Sequence, residues 1–204
     1  MNKSAITKLK NKIELIGDYG KTLIVGVFHG DEPQGKFLIE EYLKNNDING
    51  LLFIPCLNPD GMQLKTRTNS NGVDLNRNFP TKNWELTEKN EFFGGMSAGS
   101  EIETKFLMDT INEFKPQLIL TLHAPYKIVN YDGPAREISE KISEIIGYPV
   151  EESIGYPTPG SFGTYAGIER EIPAITLELD EVCPVQDLVK PVFEIFDMLK
   201  KRGL

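Results

Sequence analysis

Histidine occurs only twice in this 204-residue chain, at His29 and His123, and each stands at the end of an apolar run. His29 follows Leu23-Ile24-Val25-Gly26-Val27-Phe28 and opens His29-Gly30-Asp31-Glu32, while His123 follows Leu118-Ile119-Leu120-Thr121-Leu122. In an open α/β sheet, ligands collect beyond the carboxyl ends of the strands, so two imidazoles delivered to that edge can share one ligand. Glu32 adds a carboxylate three residues after His29. Two imidazoles and a carboxylate are donors that hold zinc while leaving a fourth position open for water. Taken alone, either histidine is more often a hydrogen-bonded structural residue. The reading depends on what else the chain brings to the same edge.

The elements that must carry these residues show in the hydrophobic pattern. Leu23–Phe28, Leu51–Ile54, Leu118–Leu122 and Ala174–Leu179 are short apolar runs rich in leucine or β-branched residues. Bounded by glycine, proline or polar clusters, they read as strands buried on both faces. Between them, Phe37, Leu38, Tyr42 and Leu43 follow Pro33, a residue tolerated in a helix's first turn. Ser100-Glu101-Ile102-Glu103 reads as a capping box before Phe106, Leu107, Thr110, Ile111 and Phe114, with Pro116 as the stop. Ile138, Ile142, Ile145 and Ile146 share a helical face that ends at Gly147. Pro191 can open a last helix carrying Val192, Ile195, Phe196 and Leu199. Strands alternating with helices predict an α/β fold, a three-layer α/β/α arrangement around a mixed, mostly parallel central sheet.

One stretch breaks this rhythm. From Asn58 to about Gly99 the chain is rich in Asn, Gly, Pro and Thr, and a loop region that long inside a compact domain tends to be functional. No repeat, low-complexity tract or linker divides the sequence, so residues 1–204 are expected to form one domain. A hydrophobic fraction of 40% and a charged fraction of 25% are ordinary for a soluble globular protein. The net charge of -8 argues against nucleic acid or an anionic membrane surface as partner. No apolar run is long enough to span a bilayer, and Met1 to Lys10 lacks the apolar core of a signal peptide, which predicts a cytoplasmic protein. Cys56 and Cys183 are too few and too far apart for a disulfide framework or a metal motif, and read as buried or half-buried thiols.

Inside the long loop stand Asn58-Pro59-Asp60-Gly61, Arg67 and Gly72-Val73-Asp74-Leu75-Asn76-Arg77-Asn78-Phe79-Pro80. With His29-x-x-Glu32, the distant His123, and Glu178 near the end of the fourth apolar run, these marks resemble the zinc metallocarboxypeptidase family in type and order. Two phrases are similar to its bacterial murein peptide amidase A branch. They are Asn71-Gly72-Val73-Asp74-Leu75-Asn76-Arg77-Asn78-Phe79-Pro80 and Gly155-Tyr156-Pro157-Thr158-Pro159-Gly160-Ser161-Phe162-Gly163. The resemblance runs from about His29 to Leu179.

The resemblance implies a role for each residue. His29, Glu32 and His123 would bind one Zn²⁺ per chain, whose contribution is to make a bound water more acidic and to polarise the scissile carbonyl. Glu178 would take the proton from that water and pass it to the leaving amine. With no third histidine in the chain, this proton work falls to Glu178. Arg67 would stabilise the developing oxyanion. Asn76 and Arg77 would grip the substrate's terminal carboxylate, the arginine through its planar fork. Asp74 would accept a hydrogen bond from the His29 ring and fix its tautomer. Tyr156, twenty-two positions before Glu178, would close over bound substrate on a loop broken by Pro157, Pro159, Gly160 and Gly163. Turn and surface roles remain the alternatives for Asp74, Asn76, Arg77 and Arg67, and a solvated face for Glu169, Arg170 and Glu171.

The implied reaction is hydrolysis of an amide next to a free C-terminal carboxylate on a small peptide. For the amidase branch this is the γ-D-glutamyl–meso-diaminopimelate bond of murein tripeptide, in cell-wall recycling. The far end of diaminopimelate would need a carboxylate acceptor and an ammonium acceptor, and the sequence names neither. Gly163 stands where a side chain often sets specificity in the digestive relatives, and glycine there would leave room. The alternatives are a general metallocarboxypeptidase or an N-acyl-amino-acid deacylase of the same fold. A non-enzymatic zinc-dependent binder of wall peptides is the alternative of another class, though Glu178 and Arg67 speak against it.

Overall fold

The computed structural model describes residues 3–17, 20–152 and 155–202. Met1 and Asn2, the first residues of the segment read for a leader, and Gly203 and Leu204, the end of the expected domain, lie outside the described residues. In chain order the elements are β1 (Ser4–Ile6), β2 (Lys12–Glu14), β3 (Gly20–Gly26), α1 (Gln34–Asn45), β4 (Gly50–Ile54), α2 (Pro59–Leu64) and α3 (Ile102–Phe114). There follow β5 (Leu118–His123), β6 (Ile128–Asp132), α4 (Arg136–Ile146), β7 (Val150–Glu151), β8 (Ala174–Glu178) and α5 (Val189–Arg202).

Six strands form one sheet in the order β4-β3-β5-β8-β6-β7. The four apolar runs are its parallel centre, β6 pairs antiparallel with β8, and β7 pairs parallel with β6. The sheet is therefore mixed and mostly parallel. Alternate residues feed two separate cores. Leu23, Val25, Leu52 and Ile119 pack on Phe106 and Leu107 of α3, while Ile24, Phe53, Leu120 and Leu177 pack on Leu38, Ile142, Val192 and Phe196 of α1, α4 and α5. Every residue of β4 and β5 is buried. Each such Leu, Ile or Val contributes roughly 1.5–3 kcal/mol relative to an exposed one. That is why these strands read as continuous apolar runs rather than alternating ones.

Three local expectations are corrected. β3 ends at Gly26, not Phe28, because Val27 takes a left-handed backbone with φ 56. The loop from Asn58 holds a short helix, α2, with the Asn58 side chain accepting from Gly61 N at 2.9 Å and Pro59 in the first turn. The capping box does not form. Helix α3 begins at Ile102 after Glu101, with no side-chain cap. The Glu101 carboxylate instead accepts from Asn69 and Asn71 (2.8 and 2.7 Å) and from Ser100 (2.5 Å), and its N–H donates to Asn78 Oδ1. Glu101 is 7% exposed, so satisfying a buried carboxylate outweighs capping a helix end.

The β1-β2 hairpin is held on α2 by one buried carboxylate. Asp60 accepts from Thr7 Oγ1, Leu9 N, Asn11 Nδ2 and Ser70 Oγ at 2.5, 3.0, 2.8 and 2.6 Å. Among the described residues, no helix is long and apolar enough to cross a membrane.

Candidate metal centre and active site

Strand ends deliver the site. β5 finishes on His123, and Glu178, the last residue of β8, is its cross-strand partner in the parallel register. β3 stops short. A β-branched residue with positive φ, as at Val27, costs about 1–3 kcal/mol and persists only where its surroundings hold it. Here Leu57 N donates to Gly26 O and Asn58 N to Val27 O, at 3.0 and 2.9 Å. The bend buries Phe28, whose ring lies 5.2 Å from the His123 ring, and turns His29 inward. Gly30 follows because nothing larger fits: a Cβ there would overlap the carbonyl carbon of Gly61, so α2 abuts the turn that bears His29 and Glu32. Glu32 N then donates to His29 O at 3.2 Å, folding the His-x-x-Glu segment back on itself.

The three sequence-predicted ligands converge. His29 Nδ1 lies 2.7 Å from Glu32 Oε1, His123 Nδ1 lies 3.2 Å from Glu32 Oε2, and the two ring nitrogens are 3.3 Å apart. Both histidines are 3% exposed. One ligand atom from each residue falls within 4.8 Å of the others. Glu32 Oε2 makes no hydrogen bond among the described residues. Two inward Nδ1 atoms and a buried, incompletely satisfied carboxylate are what a divalent cation with nitrogen and oxygen ligands would complete. Among the protein groups alone, burial would lower the His29 ring, but Glu32 and Asp74 outweigh it and raise it to about 9. Burial would raise Glu32, yet the two histidines hold it at about 2.

Asp74 is fully buried and does more than expected of it. Its Oδ1 lies 3.4 Å from His29 Nε2, longer than a normal hydrogen bond, and accepts from Asn76 N at 2.8 Å. Its Oδ2 accepts from Nε of Arg67 at 3.0 Å and pairs with the Arg67 Nη2 charge, also at 3.0 Å. Burial would raise this carboxyl, but His29 and the two arginines Arg67 and Arg77 keep it far below the usual range. Arg67 Nη1 reaches to 3.4 Å from His29 Nδ1, which sets its charge beside the His29-Glu32-His123 cluster.

Arg77 is 7% exposed, donates to Asn76 O at 2.7 Å, and forms no carboxylate ion pair among the described residues. Asn76 Oδ1 accepts from Phe162 N at 2.8 Å, so its side-chain NH₂ is the group left to meet a ligand. A cavity of about 780 Å³ joins His29, Glu32, His123, Glu178, Arg67, Asn76, Arg77 and Tyr156. Asp74 stands behind this lining. Glu178 is 7% exposed, and its Oε2 has no hydrogen-bond partner among the described residues. Burial raises its carboxyl, against the pull of His123. A carboxylate shifted toward neutral pH inside a cleft is suited to accept and return a proton.

Tyr156 sits at the mouth, 44% exposed, and Tyr126 lines the same cavity, its hydroxyl raised chiefly by Tyr156. Sequence reasoning missed Tyr126, although an aromatic three residues past a ligand was a usable signal. It also missed Phe92, on the cavity wall among unpatterned loop residues. The room expected at Gly163 is taken: a Cβ there would overlap the Asp132 carboxylate, itself raised by burial to about 6. Glu169, Arg170 and Glu171 do not line the cavity, and Arg170 lies over the Tyr165 ring. Cys56 is buried and Cys183 half-buried, both free thiols.

The sequence profile of the zinc carboxypeptidase family matches residues 23–179, the span from β3 to just beyond Glu178. The chain belongs to the zinc carboxypeptidase family. It is a hydrolytic enzyme. Similar members include the murein peptide amidase A of Escherichia coli K12, 31% identical over 192 residues, which cover 87% of this chain and 78% of that protein. The murein peptide amidase A of Vibrio campbellii is 33% identical over 183 residues, covering 78% of this chain and 69% of the relative. Among solved structures, the murein-tripeptide amidase of Escherichia coli O157 superposes with a TM-score of 0.85 at 28% identity, over 96% of this chain and 89% of that one. The carboxypeptidase A of Helicoverpa armigera shares the fold, with a TM-score of 0.75 at 17% identity over 98% and 68% of the two chains.

Proposed function

We propose that this zinc carboxypeptidase-family enzyme, acting as one catalytic domain in the cytoplasm, hydrolyses the amide between γ-D-glutamate and meso-diaminopimelate in murein tripeptide. The observation that carries the carboxylate requirement is Arg77. A buried guanidinium without a carboxylate partner is costly, and here it lines the same cavity as the His29-Glu32-His123 cluster. A substrate carboxylate is the natural counter-charge, met bidentately by the planar fork and joined by the Asn76 NH₂. The diaminopimelate assignment is supported by the murein peptide amidase relatives at 31% and 33% identity.

His29, Glu32 and His123 would hold one zinc ion, which when bound supplies Lewis acidity toward the scissile carbonyl and toward water. Glu178 accepts the proton of the attacking water at its carboxylate and returns it to the leaving amine, aided by the upward shift that burial gives it. Arg67, fixed by a hydrogen bond and an ion pair to Asp74, offers a stationary positive charge where the oxyanion develops. Tyr156, at the mouth, closes over the bound peptide.

A competition assay tests the proposal. Zinc-loaded protein is given L-Ala-γ-D-Glu-meso-diaminopimelate together with ordinary L-dipeptides and N-acyl amino acids. Release of free diaminopimelate well ahead of the other products is expected. Faster trimming of L-peptides would make the chain a general carboxypeptidase, and faster release from N-acyl amino acids a deacylase.

A further inference from the structure

The site's two arginines share an aromatic neighbour that neither the fold nor the proton chemistry requires. The Phe92 ring centroid lies 5.2 Å from Cζ of Arg67 and 5.9 Å from Cζ of Arg77. Phe92 is 43% exposed, whereas the adjacent Phe93 is 4% exposed and supplies this segment's contribution to the interior. A phenyl ring left half in water adds little to the core; what marks this one is the pair of guanidinium groups beside it.

The backbone around Phe92 is tied to the segment that bears the clamp. Asp74 N donates to Phe93 O at 2.8 Å, and Phe93 N donates to Asn90 O at 3.1 Å. Phe92 N donates to Asn90 Oδ1 at 2.8 Å. Gly94 passes so close that a Cβ there would lie 2.5 Å from Arg77 O. The ring is thus presented from a short stretch fastened at Asp74 on one side and at Arg77 on the other. Two guanidinium groups beside one ring would otherwise repel. Asp74 neutralises Arg67 but pairs with Arg77 only at a distance. The negative face of an aromatic ring attracts both cations, and an apolar plate beside them excludes water and strengthens their pull on a carboxylate.

We infer that Phe92 is a positioning residue of the carboxylate clamp, holding Arg77 in place for a substrate carboxylate and shielding the resulting ion pair, while Arg67 stays anchored on Asp74. The inference rests on the carboxylate-clamp reading given above. Its test is steady-state kinetics of zinc-loaded Phe92→Ala, Phe92→Leu and Phe92→Tyr, with Arg77→Ala alongside. The substrate is whichever the wild type turns over, murein tripeptide or an N-acylated L-dipeptide with a free carboxylate. One cation–ring contact to a buried guanidinium corresponds to a change in binding of up to roughly tenfold. Phe92→Ala and Phe92→Leu should raise KM about tenfold with kcat within about twofold, the pattern of lost uniform binding. Phe92→Tyr should return KM to within about twofold of wild type, and all three should melt with the wild type.

An unchanged KM in Phe92→Ala overturns the inference, as does Phe92→Leu behaving like Phe92→Tyr. Arg77→Ala separates the two levels. If it raises KM while Phe92→Ala does not, only the role of Phe92 falls. If Arg77→Ala leaves KM unchanged, the clamp itself is refuted.

Discussion

Asp74→Asn probes the junction on which the site rests. The substitution keeps one oxygen, enough to accept from Asn76 N, but removes the charge and turns an NH₂ toward either Arg67 or His29. At stake are a charge-assisted bond and an ion-pair contact to Arg67, each 3.0 Å, and the 3.4 Å contact with His29 Nε2. Such bonds contribute about 1.5–3 kcal/mol each. The Arg67 side chain is 22% exposed, so water recovers part of its loss. A net cost of about 3 kcal/mol follows, or a fall in Tm of about 6–12 °C for a chain of this size. Freeing the His29 ring should also weaken metal binding by about 10–100-fold. Thermal melts give the first quantity, and zinc competition against a chromophoric chelator the second. Arg67→Met and the double variant complete a cycle in which the stability losses should fall short of additive by about 1–3 kcal/mol. Strict additivity, or an Asp74→Asn protein with wild-type Tm and wild-type zinc affinity, would refute the assignment of Asp74 as their common anchor.

Three further outcomes are expected. Glu178→Gln should retain zinc and lose turnover by several powers of ten; metal analysis beside the kinetics checks both halves. Chelation should abolish hydrolysis, and readdition of about one zinc per chain should restore it, which titrated reconstitution would show. Glu103 is 2% exposed, and burial raises its carboxyl from 4.5 to about 7. The folded state therefore prefers it protonated, so its stabilising contribution is full below the ordinary carboxylate range and is lost as pH rises through about 7. Glu103→Gln should match the wild type near pH 4 and exceed it by up to about 3 kcal/mol above that pH; melts across the range decide, and equal stability at high pH would contradict the shift.

The parallel centre of the sheet was readable because its strands are covered on both faces, which leaves continuous apolar runs with no competing pattern. β6 was not: Asn130 and Asp132 interrupt it, since this antiparallel strand buries only alternate residues. β1 and β2 are three residues each in a lysine-rich stretch, and they are fixed by distant partners: Asp60, more than forty residues later, and the core in which Ile13 is buried. The convergence of His29, His123 and Glu178 on one edge was readable because each follows or ends an apolar run. Arg67 was placed by likeness alone, and its bond to Asp74 depends on a loop path that no periodicity encodes. Phe92 and Asp132 were invisible for the same reason: one gains meaning from two arginines beside it, the other from a glycine thirty-one residues on. Ser100 and Glu103 show the opposite failure, a correct local signal defeated by buried carboxylates that needed partners elsewhere.

The hairpin at the chain's start acts as a buttress for the catalytic edge. Its turn grips Asp60, Asp60 seats α2, and Gly61 of α2 bears directly on Gly30, one residue from His29. The thrust that keeps His29 pointed inward thus originates in the first dozen residues, far from any reacting atom. A segment that looks ornamental in the sequence is a structural abutment, and trimming it would slacken the candidate metal centre without touching His29, Glu32 or His123.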